Sequence, residues 1–202
     1  MSKYYHHPNS YGAEGEDHIN ISPHSEFYLG KVFEPSFLRV VQYPYIGKFR
    51  SVSNLWLWLK VKPIDDSLRR VGLREFQRIL VKHRNTYVPN FRLIIAHATW
   101  LKIKNDPVAI KEIKKLPKKP PVLSYYIPKG SPMRVCSNYA DIIVPIVTAI
   151  VDAVQADTDP DFNEIAERGL TWEMDYLKPF LIHRLGRWER IESYIRSPVA
   201  ET

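Results

Sequence analysis

Cysteine is nearly absent: Cys136 is the only one in 202 residues. That excludes an intramolecular disulfide and a cysteine-based zinc site. The eight glycines are scattered singly, so neither a phosphate-binding loop nor a dinucleotide fingerprint can be assembled. Gly-x-Ser-x-Gly and His-Glu-x-x-His are missing as well. The longest apolar run, Ile142 to Val151, is interrupted by Pro145 and Thr148 and is about half of the ~20 residues a membrane span needs. The opening Met1-Ser2-Lys3-Tyr4-Tyr5-His6-His7 is polar, without the apolar centre of a signal peptide. These absences lead us to expect a soluble, cytoplasmic protein (host cytoplasm if the source is viral) with no membrane partner, no metal and no cofactor.

What is present is ordinary in amount and uneven in placement. Hydrophobic residues make up 45% and charged residues 25%, which excludes wholesale disorder and fibrous folds. Residues 1–30 carry a net charge of −3, residues 31–134 a net of +16, and residues 135–202 a net of −6. Unpaired charge is rarely buried, so the middle segment should present a basic surface attractive to polyanions. The plainer alternative is that the 12 carboxylates of the last third neutralise part of it.

The first 25 residues, rich in His, Asn, Ser, Gly and Glu, read as a flexible arm, with residues 26–202 forming a single domain. His6-His7 in that arm reads as solvated rather than metal-binding. The β-branched and aromatic stretch Phe37 to Tyr43 reads as a strand, and Tyr45 to Phe49 as its returning partner. Ser51 to Asn54 offers N-cap residues for a short buried helix ending near Lys60. Asp65 or Asp66 is expected to cap a helix from Ser67 to about Asn85, on which Arg70, Arg74, Arg78 and Lys82 recur every fourth residue as one basic stripe.

Asn90 opens a further helix with Phe91, Ile94, Ile95, Ala98 and Leu101 inward. Asp106-Pro107 opens another that ends near Leu116. Val122 to Ile127 reads as a second strand region, and Ser137 or Asn138 as the cap of an apolar central helix, Tyr139 to Gln155. Asp159-Pro160 and Thr171 start shorter helical pieces. The fold class expected is therefore α+β, mostly helical with a small sheet. Cys136 reads as a buried structural thiol, His83 and His97 as core histidines, and Asp157, Asp159 and Asp161 as caps and solvated charge. Aromatics interleave with the basic middle (Tyr43, Tyr45, Phe49, Trp56, Trp58, Trp100, Tyr125, Tyr126). Each taken singly favours core packing over stacking on a base.

One local pattern goes further. Leu29-Gly30-Lys31-Val32-Phe33-Glu34-Pro35-Ser36-Phe37, then Tyr45 to Asn54 with Gly47-Lys48 at a turn, then Trp56 to Lys60, resembles the opening of the NADAR family, the YbiA-like fold. The resemblance covers about 30 residues well and some 130 loosely. It implies a NADAR-like fold and handling of ADP-ribose derivatives, including ADP-ribose on guanine bases. It also implies an ADP-ribose-like pocket made by Tyr45, Lys48, Ser53, Asn54, Trp56 and Lys60. In the family a Ser-Glu-His run precedes the helix, whereas here Val52-Ser53-Asn54 stands there. The family's catalytic glutamate is thus replaced by Ser53, and its Gly-rich, Trp-containing loop is missing. Cleavage of an N-glycosidic bond needs a carboxylate to activate water or to stabilise an oxocarbenium-like centre. A serine does not accept that proton at neutral pH, so no catalytic residue is assigned.

The resemblance then implies a degenerate member that has kept a binding surface and lost the chemistry. Its expected role is phage-type counter-defence, antagonising ADP-ribosylation of DNA by binding the ADP-ribosyltransferase toxin or the ADP-ribosylated nucleic acid. Partner contact is expected at Arg70, Arg74, Arg78 and Lys82. Two alternatives stay open: an active ADP-ribosyl glycohydrolase using a carboxylate from elsewhere in the chain, and a basic nucleic-acid-binding protein unrelated to NADAR.

Overall fold

The computed structural model describes residues 4–5, 11–13, 16–23, 25, 27–44, 46–61, 65–72, 74–75, 78–79, 91–128, 135–137 and 139–162. Among the described residues it is an α+β protein in which helices outweigh four small sheets. Its contacts cluster into two units, one of residues 1–37 with 103–161 and one of residues 38–102 with 162–202. No helix among the described residues is long and apolar enough to cross a membrane.

The first unit holds strands β1 (Tyr4–Tyr5), β2 (Tyr11–Ala13), β3 (Glu16–Asp17) and β4 (Ile19–Asn20), followed by helix α1 (Tyr28–Phe33). Residues 18–22, inside the stretch read as an arm, are core. Ile19 and Ile21 are buried, and their N–H groups donate to Pro121 O and Leu123 O, each at 2.8 Å. β4 thereby pairs in parallel with β7 (Val122–Leu123). The polar neighbours His18 and Asn20 are buried because Tyr125 receives them. His18 Nε2 lies 2.8 Å from the Tyr125 hydroxyl, and Asn20 exchanges hydrogen bonds with the Tyr125 backbone. Composition marked this segment as polar; its partners lie about a hundred residues away. Gly30 lets α1 approach this strand, since a Cβ there would fall 2.3 Å from Ser25 Oγ and 2.4 Å from Asn20 O.

Strand β8 (Tyr125–Pro128) lies between β1 and β9 (Val135–Cys136), antiparallel to both. Cys136 is exposed on that outer strand, which corrects the expectation of a buried thiol: strand pairing, not core packing, sets its environment. Helix α4 (Pro107–Lys115) starts as its sequence dictates, with Asp106 Oδ1 accepting from the N–H groups of Val108 and Ala109, each at 3.1 Å. Helix α5 (Ala140–Gln155) buries Ile142, Ile143, Ile146, Val147, Ile150 and Val151 along one face. Its Gln155 amide donates to Leu116 O and Pro117 O and accepts from Lys119 N–H, covering carbonyls left open at the end of α4. Asp157 and Asp159 are exposed and pair with Lys114 and Lys104.

The second unit begins with a two-stranded ribbon, β5 (Val41–Tyr43) and β6 (Gly47–Phe49), with Pro44 and Ile46 in turn conformation between them. Gly47 has φ +96°, a left-handed conformation that favours glycine. Helix α2 (Val52–Lys60) follows, capped by the Ser51 side chain accepting from Asn54 N–H. It is buried on every side, its polar Ser53, Asn54 and Lys60 included. Helix α3 (Phe91–Lys104) buries nearly all of its length, His97 included, and the chain returns to the first unit within its last turn.

The long helix expected over residues 67–85 is not what forms at its start. Asp65 does cap, accepting from Ser67 N–H at 2.9 Å, but the product is a single 3-10 turn, Asp66–Arg69. The cause is competition for carbonyls. Asn54 Nδ2 donates to Leu68 O (2.8 Å) and Val71 O (3.2 Å), while Arg50 donates from its backbone to Arg69 O (2.9 Å) and from its side chain to Arg70 O (3.4 Å). Four consecutive acceptors that a helix would use internally are claimed from outside. Residues 74–75 and 78–79 are helical again. The shorter helices expected after Thr171, His83 and the cap Asn90 lie outside the described residues.

Candidate functional site

Helix α2 sorts the residues assigned to an ADP-ribose-like pocket onto two faces. Ser53, Trp56 and Lys60, at spacings of three and four, share one face. There Lys60 Nζ lies 5.7 Å from the Trp56 ring centre and 5.8 Å from that of Phe91. The two rings meet edge to face at 4.8 Å. Burial pushes the Lys60 ammonium below its ordinary value, because desolvation penalises the charged form. The facing aromatic rings offset part of that cost. Lys60 is only 4% exposed, so a pyrophosphate does not reach Nζ in this conformation.

The other face does structural work. Asn54 spends both amide hydrogens on Leu68 O and Val71 O, and its Oδ1 accepts from Ser51 Oγ at 2.8 Å. Its hydrogen-bonding capacity is committed to the turn. Trp58 Nε1 donates to Asp66 Oδ1 at 3.0 Å, and Arg69 Nε donates to the same oxygen at 2.8 Å. Those two bonds, the Arg69 bond first, hold the Asp66 carboxyl below its usual range. Arg69 itself is stacked, its guanidinium carbon 4.6 Å from the Phe49 ring centre and 4.8 Å from that of Trp58. It also donates to Ile46 O. Asp65 and Asp66, the carboxylates nearest the assigned pocket in sequence, are therefore a turn cap and an arginine partner. Neither is placed as a proton carrier.

Lys48 is exposed on β6, apart from the Ser53–Trp56–Lys60 face, and Tyr45 lies outside the described residues. The structure thus brings Ser53, Trp56 and Lys60 together, turns Asn54 to the neighbouring loop and leaves Lys48 facing solvent. Among the stripe residues, Arg70 sits in the turn after the 3-10 helix, so it is not on one helical face with Arg74 and Arg78. Arg70, Arg74 and Arg78 are exposed, and Arg78 pairs with Glu75 at 2.7 Å. Lys82 lies outside the described residues. Sequence reasoning missed Arg69, whose role depends on two aromatic rings and a carbonyl distant in sequence. It also missed Phe91 as the second ring under Lys60.

Elsewhere, a cavity of about 230 Å³ in the first unit is lined by Ile19, Phe27, Tyr28, Leu116 and Pro117 and bordered by the Glu112–Lys115 pair. None of the residues assigned from the sequence lines it. Among the described residues no group of three His, Cys, Asp or Glu is placed to hold a metal ion. Compared with protein-family models, curated proteins and solved structures, the chain matches none.

Proposed function

We propose that this chain is a non-catalytic binding protein that antagonises ADP-ribosylation of DNA by holding the ADP-ribosylated nucleic acid. The observation that carries the reading is the division of charge in the second unit. Its described carboxylates are spent locally: Asp65 on a turn, Asp66 on Arg69 and Trp58, Glu75 on Arg78. Its exposed cations Lys48, Arg50, Arg70 and Arg74 have no carboxylate within ion-pair distance among the described residues. Such a surface attracts a polyanion and, among the described residues, offers no uncommitted carboxylate as a base for glycosidic cleavage. The NADAR-like opening supplies the ADP-ribose part of the reading, with Ser53 where the acid would stand and Lys60 as the pyrophosphate contact once its face opens.

The experiment has two arms. Calorimetry with ADP-ribose on the parent and on Lys60→Ala should give heat in the parent and little in the variant. No heat in either overturns the ADP-ribose reading. Incubation with DNA carrying ADP-ribosylated guanine should release no ADP-ribose above buffer. Release that disappears in the Asp65→Asn, Asp66→Asn variant would instead establish a glycohydrolase.

A further inference from the structure

The β5–β6 ribbon has two unlike faces. Val41, Tyr43 and Phe49 point inward and are buried, while Val40, Gln42, Lys48 and Arg50 alternate with them and are exposed. Gln42 and Lys48 are directly cross-strand from each other. Leu38 and Val40, at 65% and 63% exposure, extend the same face along the incoming chain. Arg50 reaches Arg70 O, which sets Arg70 beside the ribbon. Beneath, Arg69 stacks on Phe49 and Trp58 and donates to Ile46 O at the turn, so the ribbon is braced from its buried side.

We propose that this outward face seats in the major groove of duplex DNA. The inference rests on the nucleic-acid reading above and adds the form of the nucleic acid and the surface that meets it. Three features fit. First, size: strands about 4.8 Å apart fit a groove about 12 Å wide, which admits a two-stranded ribbon but not a broader sheet. Second, spacing: Lys48 on β6 and Arg50, one residue past its end, stand roughly 6.8 Å apart if the chain stays extended, the rise of about two base-pair steps. Third, chemistry: a glutamine amide pairs with adenine N6 and N7, lysine and arginine with guanine O6 and N7, and an apolar side chain with the thymine methyl. Gln42, Lys48 with Arg50, and Val40 supply all three kinds on a single braced face. Arg70 at its border serves a phosphate, which fixes register without reading sequence.

The test uses the full chain and fluorescence anisotropy with a short mixed-sequence DNA duplex and, separately, one of its strands. The parent should prefer the duplex, with affinity falling steeply as salt rises. Lys48→Ala with Arg50→Ala should weaken duplex binding by about tenfold or more. Its melting temperature should fall only slightly, since Lys48 faces solvent and the Arg50 bond to Arg70 O is long and exposed. Gln42→Ala, which removes no charge, should lower affinity for adenine-containing sites while leaving the salt slope unchanged. If the parent binds DNA and these variants bind as well as it does, the ribbon is not the contact and this inference fails alone. Equal affinity for the single strand also overturns the groove placement alone. A parent that binds neither DNA overturns the inference together with the nucleic-acid reading, while the ADP-ribose calorimetry still reports separately on Lys60.

Discussion

In the first unit one buried ionisable group, besides His18 and Asp106, is a carboxylate. Glu34 accepts from Ser36 N–H at 2.6 Å, from the Ser36 hydroxyl and from the Tyr139 hydroxyl at 3.2 Å. In the second, besides His97 and Lys102, one is an ammonium, Lys60, laid against Trp56 and Phe91. The carboxylate is held by directed donors, whose loss leaves a definite atom unsatisfied. The ammonium is held in part by the diffuse field of ring faces, which tolerates small displacements. The buried acid should therefore behave as a stiff structural joint, and the buried base as a group that burial inclines to give up its charge. Their neighbours agree: burial, and then the Glu34 charge, pushes the Tyr139 phenol upward, keeping it a donor.

Glu34→Ala breaks the comparison most severely. It strands the Ser36 N–H and removes the Tyr139 acceptor, and should cost about 3 kcal/mol in urea denaturation. Glu34→Gln, which keeps an acceptor, should cost about 1 kcal/mol. Equal losses for the two would show that the site needs charge rather than directed bonds.

Asn54→Ala comes next, at about 2 kcal/mol, because it frees two carbonyls at once. If Asn54 served a ligand instead of the turn, the variant would keep its stability and lose binding.

Lys60→Met should change stability least at neutral pH, and its signature is a slope. A lysine whose folded value is lowered releases its proton earlier in the folded state than in the unfolded chain. Stability therefore rises with pH as the lysine's ordinary value is approached from below. The melting temperature of the parent should climb relative to Lys60→Met as pH rises toward the ordinary lysine value of about 10.4. Parallel curves would mean that Lys60 is not desolvated as described.

Much of this fold is legible locally. Ser51 and Asp106-Pro107 each act within four residues, and each produced the expected element, while the expected turn at Gly47-Lys48 falls one step earlier and leaves both residues in β6. The aromatic ring beside Lys60 follows from helical spacing alone, since Trp56 precedes it by four. What sequence concealed is what distant partners decide. His18 and Asn20 look like tail residues until Tyr125 receives them. The cationic stripe looks continuous until Asn54 and Arg50 take the carbonyls of residues 68–71. Periodicity reports only which face a residue would occupy if the helix existed. It does not report a competitor for the backbone.

That capture of carbonyls also sets an order of events. The 3-10 turn has little reason to form before β6 and α2 present Arg50 and Asn54, so its contacts should be made after the rate-limiting barrier. Weakening them should accelerate unfolding and leave refolding untouched. Stopped-flow traces of Asn54→Ala would then show a change in one arm of the chevron only. A slowed refolding arm would instead place the turn in the nucleus.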